Sequence, residues 1–134
     1  MSGIILSPRH PGYYPPLTRC RWTINVPHGN TIKLRFLEFQ LEDHPSCFRD
    51  SLEIYSGLET RKFLGRYCGE RFPAFLESSS NVMVITFESN DKITGLGFKL
   101  HYTSKKGEEL LLKGLKFIHH PLRVKVHGYI NSNC

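Results

Sequence analysis

The chain has no apolar run near the ~18 residues a membrane-spanning helix needs, and no stretch of it reads as a membrane span. Its start, Met1-Ser2-Gly3-Ile4, lacks the charged and apolar regions of a secretory signal. Cysteine is sparse: positions 20, 47, 68 and 134, with no C-x-x-C pair, which excludes the usual zinc and dithiol-redox spacings. There is no Asn-x-Ser/Thr acceptor. No Gly-x-Ser-x-Gly or protease-type signature frames a serine, so catalysis is not expected. Up to Tyr102 no segment sustains a 3.6-residue apolar period, which argues against a helical fold. Strong charge is also missing from most of the chain. The formal net charge is +6, but residues 104–134 carry six basic and two acidic residues and leave only +2 for residues 1–103. A near-neutral body with a basic tail is not a nucleic-acid-binding fold; at most the tail has an electrostatic partner.

What is present is period-2 alternation. A chain of 134 residues forms one domain with a core of its own. Residues 47–69 read as strand, turn, strand: Leu52 and Ile54 alternate with Glu53 and Tyr55, Ser56-Gly57 breaks the run, and Phe63-Leu64 starts a second strand ending at Cys68-Gly69. A bridge between Cys47 and Cys68 would be worth roughly 3 kcal/mol by loop closure. Two buried thiols serve the same positions about equally well on composition alone. Upstream, Pro8, Pro11, Pro15 and Pro16 imply an edge segment followed by an irregular loop. Trp22, Ile24 and Val26 share one face, Pro27–Asn30 is a turn, and Ile32, Leu34 and Phe36 share the next face. Leu37 and Phe39 then shift the phase by one residue, as a bulge or a second buried face would. After a serine-rich loop, Val82–Phe87 and Phe98–Tyr102 complete a set of short strands that reads as an antiparallel sandwich.

Residues 104–134 differ in character. Glu108–Lys116 has the leucines for a short helix, and Leu122–His127 alternates Leu/Val against Arg/Lys/His. The expectation is a basic tail or linker that contributes little to the sandwich. His119, His120, His127 and Cys134 are competent zinc ligand types, but their spacing matches no structural zinc site.

Gly3-x-Ile5-x-Ser7-Pro8, Tyr14-Pro15, Cys20-x-Trp22-x-Ile24, Val26-Pro27-x-Gly29, Phe36-x-x-Phe39-x-Leu41-Glu42, Cys47-x-x-Asp50-x-Leu52-Glu53-Ile54, Leu64-Gly65-Arg66-Tyr67-Cys68-Gly69 and Asn81-x-Met83-x-Ile85-x-Phe87-x-Ser89 together resemble a CUB domain, over residues 3–103. The resemblance implies an all-β, jelly-roll-like sandwich of two antiparallel sheets and an extracellular, non-catalytic binding module. It implies a Cys47–Cys68 disulfide. Cys20 resembles the family's second cysteine, whose partner would precede Gly3, so here it is expected to be free or paired outside the family pattern with Cys134. His10 stands where the family prefers tyrosine. The missing first cysteine, the missing signal and the unrelated tail suggest a fragment or alternative product of a larger secreted protein.

Many CUB domains resemble one another in a calcium site. Carried over, its ligands are Tyr14, Glu42, Asp50 and Asn90, the last replacing an aspartate, with Asp91 as a substitute if the loop shifts by one residue. Calcium takes six to eight oxygens, so losing one carboxylate predicts weak binding. The other reading makes Glu42 and Asp50 loop acids neutralised by Arg or Lys. With calcium, the family precedent is a protein partner gripped through a lysine. The alternative partner is a glycosaminoglycan or other anionic surface held by Lys105, Lys106, Lys113, Lys116, Arg123, Lys125 and His127.

Overall fold

The computed structural model describes residues 1–58, 61–92, 94–107 and 128–134. Two antiparallel sheets face each other. One holds β1 (Ser2–Leu6), β8 (Gly97–Lys105), β3 (Thr31–Gln40) and β6 (Phe75–Glu77), in the spatial order β1-β8-β3-β6. The other runs β5 (Lys62–Tyr67), β4 (Ser51–Ser56), β7 (Val82–Glu88), β2 (Arg19–Asn25) and β9 (Tyr129–Asn133). The alternation seen in the sequence decides which side chains meet between the sheets. Trp22 and Ile24 from β2, Ile32, Leu34 and Phe36 from β3, Leu52 and Ile54 from β4, Met83, Ile85 and Phe87 from β7, and Phe98, Leu100 and Tyr102 from β8 form one core cluster. Central β7 is buried on both faces along Val82–Ile85, which explains why its apolar run is nearly continuous.

The phase shift in β3 is a bulge. Pairing with β8 slips between Phe36 and Glu38, so Leu37 points to solvent at 49 % exposure while Phe39 returns to the core. Proline-flanked β1 is an edge strand, as its neighbours require. The three-residue strand β6 carries no alternation long enough to register in the sequence; it is held by pairing Leu34 with Leu76 at the other edge.

Cys47 and Cys68 are joined, and so are Cys20 and Cys134. The first bridge ties the β3–β4 loop to the end of β5. The second corrects the expectation that the whole tail stands apart from the sandwich. β9 pairs antiparallel with β2 from Arg21↔Asn133 to Asn25↔Tyr129. The physical reason is twofold: β2 otherwise presents a row of unpaired main-chain groups, and the other two cysteines are already joined to each other. With Cys134 in a disulfide, it is no zinc ligand. The helix expected at Glu108–Lys116 and the strand expected at Leu122–His127 lie outside the described residues.

Candidate functional site

Three connections meet at one end of the sandwich: residues 7–18 between β1 and β2, residues 41–50 between β3 and β4, and residues 89–92 and 94–96 between β7 and β8. Tyr14 joins them. Its ring is 1 % exposed and packs edge-on against Phe87, with centroids 5.1 Å apart. Its backbone N–H donates to the Gly95 carbonyl (3.1 Å). Gly95 must be glycine here, since a Cβ would sit 2.6 Å from the Gln40 carbonyl oxygen. The Tyr14 hydroxyl donates to Asp50 Oδ2 and accepts the Glu42 backbone N–H at 3.1 Å.

Asp50 is fully buried. Besides Tyr14, the Asn90 backbone N–H donates to its Oδ1 at 2.7 Å. Burial pushes the Asp50 carboxyl above the ordinary aspartate range, and the nearby Glu42 charge pushes the same way. The hydrogen bonds from Tyr14 and Asn90, and the Arg49 charge, oppose the rise. Burial, and then the bond to Asp50, holds the Tyr14 phenol far above its usual value, so it is a neutral donor.

Glu42 is 7 % exposed. Its Oε2 meets the Arg49 guanidinium at 3.2 Å. Its Oε1 is buried with no hydrogen-bond partner. A buried carboxylate oxygen without a donor is costly. It is the acceptor in this cluster that lacks a hydrogen-bond donor.

The structure therefore brings Tyr14, Glu42, Asp50 and Asn90 together, but not in identical roles. The Asn90 side-chain oxygen accepts the Lys92 N–H (3.0 Å), and its carbonyl accepts the Leu17 N–H (2.9 Å). Asp91 is exposed. Among the described residues, no group of three or more His, Cys, Asp or Glu side chains converges on one point. The donors available to a cation are two carboxylates, a phenol oxygen and neutral carbonyls. Sequence reasoning missed Arg49 as a named participant; its signal was its place directly before Asp50. Beside the cluster, a groove of about 560 Å³ is lined by Tyr13, Glu42, Asp43, Glu70, Arg71 and Gly95 among others. Asp43 is bound by Arg71 at 2.7 Å. Of the proposed anion-binding residues, Lys105 pairs with Glu77 at 3.2 Å and Lys106 is exposed. Lys113, Lys116, Arg123, Lys125 and His127 lie outside the described residues.

A family model described as the CUB domain matches residues 1–102. The chain belongs to the CUB family. Human procollagen C-endopeptidase enhancer 1 is 40 % identical to the chain over 105 residues, covering 78 % of it and 23 % of the enhancer. The solved MASP-1 CUB2 domain bound to Ca2+ is 34 % identical, with a TM-score of 0.69, covering 75 % of this chain and 90 % of that one. The full extracellular region of zebrafish Gpr126/Adgrg6 is 31 % identical, with a TM-score of 0.73, covering 78 % of this chain and 14 % of that one. The chain spans 3–23 % of the length of the first curated relatives it matches. A CUB domain is a protein-interaction module, itself non-catalytic.

Proposed function

We propose that this CUB domain is an extracellular protein-binding module whose loop end holds a calcium ion weakly. The observation that carries the reading is Glu42 Oε1, a buried acceptor without a partner, next to an Asp50 carboxylate that is fully buried and already oriented by Tyr14 and Asn90. A divalent cation would supply what Glu42 Oε1 lacks and would offset the mutual repulsion of Glu42 and Asp50. Glu42 and Asp50 would hold it, with Asn90 or a neighbouring carbonyl as neutral donor and Tyr14 positioning Asp50. The Ca2+-bound MASP-1 relative supports the assignment. Two charged ligands rather than three place the affinity toward the extracellular end of the calcium scale, roughly 10⁻⁴–10⁻³ M.

A bound calcium ion supplies positive charge that orders the acidic loops; binding of a partner then rests on this chain's own residues. The groove carries Glu70 and an Asp43 paired to Arg71 beside Tyr13, and we take Glu70 with Tyr13 as the part of it that would meet a partner's lysine. The two disulfides agree with an oxidising, extracellular setting. The test is capture of a lysine-rich protein segment in millimolar calcium and in chelator. Binding in calcium that is lost in chelator and in Glu42→Gln supports the reading. Binding that survives chelator but falls with salt would instead favour the basic tail and an anionic surface such as a glycosaminoglycan.

A further inference from the structure

The bond between β9 and β2 is unusual in what it omits. Ile130 and Ser132 pair with Ile24 and Trp22, so they lie on the core-facing side of the sheet. Yet Ile130 is 36 % exposed and every residue of β9 is exposed. The strand therefore sits beyond the rim of the core and adds little apolar burial. It also has no charged residue and no proline, the usual devices that stop an edge strand from being exchanged. Main-chain hydrogen bonds and the Cys20–Cys134 disulfide hold it. Such attachment reads little of the side-chain sequence: any extended, uncharged segment with cysteine in the same register satisfies it.

We propose that the outer edge of β2 is a strand-acceptor site, which β9 fills in cis, for a partner segment that is extended, uncharged and carries a cysteine in register with Cys20. The surroundings favour entry by disulfide exchange. Cys134 is exposed, whereas the more accessible member of the other bridge, Cys47, is half-buried and packed against the core cluster. Arg19 and Arg21 alternate to the exposed face while Cys20 is buried, so exchange begins at the accessible Cys134 sulfur. The incoming thiolate attacks Cys134 Sγ, forms a mixed disulfide and releases Cys20 as thiolate. Cys20 then attacks the incoming sulfur and expels Cys134 as thiolate, which takes a proton from water. One disulfide breaks and one forms, with no net oxidation or reduction. The site does not involve the calcium cluster and stands or falls separately from it.

The experiment uses the full oxidised chain and two fluorescent peptides: one matching residues 128–134, and one with proline in place of the residues matching Ile130, Asn131 and Ser132, which removes main-chain donors and keeps the cysteine. Peptide mapping by mass locates the adduct, and near-ultraviolet circular dichroism of the Trp22 region reports the fold. The expected result is attachment of the matching peptide at Cys20 about tenfold faster than the proline-substituted one. The Cys47–Cys68 bridge stays intact, and the amides of residues 21–25 remain protected from hydrogen exchange in the adduct. Equal rates for both peptides, attachment only after the second bridge is lost, or deprotected β2 amides in the adduct would each overturn the proposal.

Discussion

Replacing Cys134 by serine removes the bridge to Cys20 and leaves every described side-chain contact of the core in place, so the loss is one of chain constraint. The bridge spans a sequence separation of 114. On the loop-closure estimate its removal costs about 4.8 kcal/mol, compared with about 3.4 kcal/mol for Cys47–Cys68, whose separation is 21. Native-state adjustment lowers such figures, and removing native bridges typically costs about 2–5 kcal/mol. Unfolding entropy of roughly 2.1 cal/mol/K per residue makes about 3.5 °C correspond to each kcal/mol for a chain of this size. The melting temperature should therefore fall by about 7–17 °C, read by circular dichroism under non-reducing conditions. Cys20, buried as a small apolar side chain, tolerates the free thiol. A drop of less than about 2 °C would mean that β9 and its bridge do not constrain the sandwich, and that the tail is as detached as its composition suggests.

Other consequences concern the loop end. Tyr14→Phe leaves Asp50 Oδ2 and the Glu42 N–H without their shared partner; urea denaturation should show a loss of about 2–3 kcal/mol. Asn90→Asp keeps an oxygen for the Lys92 N–H and adds a negative charge, so calcium titration by calorimetry should show affinity rising about tenfold. In chelator, the raised Asp50 carboxyl makes its contribution greatest below the ordinary aspartate range and loses it as pH rises through the raised folded value. The wild-type minus Asp50→Asn stability difference should therefore shrink with rising pH across that window, and a difference that grows would refute the burial argument.

The sandwich was legible because alternation decides faces: Trp22/Ile24, Ile32/Leu34, Leu52/Ile54 and Met83/Ile85 can bury one side only if the strands lie as they do. The β3 bulge showed as the Leu37–Phe39 phase shift. β6 was hidden because three residues are too few for a period. β9 was hidden because Tyr-Ile-Asn-Ser-Asn has no apolar face; it is held by main-chain pairing and one sulfur. For the site, the spacing of Tyr14, Glu42 and Asp50 located the cluster but not its wiring. Which atoms pair depends on loop geometry, so the engaged Asn90 side chain, the Arg49 ion pair and the orphaned Glu42 oxygen emerge only in three dimensions.

The central claim is that Glu42 and Asp50 form a cation site rather than a pair of loop acids quieted by Arg49. Thermal melts of the wild type in millimolar calcium and in chelator, with Glu42→Gln alongside, test it most directly. At a calcium concentration about ten times Kd the gain is about 1.4 kcal/mol, a rise of about 5 °C here. Glu42→Gln should melt at the same temperature in both buffers. Superimposable melts for the wild type would contradict the account and leave Glu42 and Asp50 as structural acids.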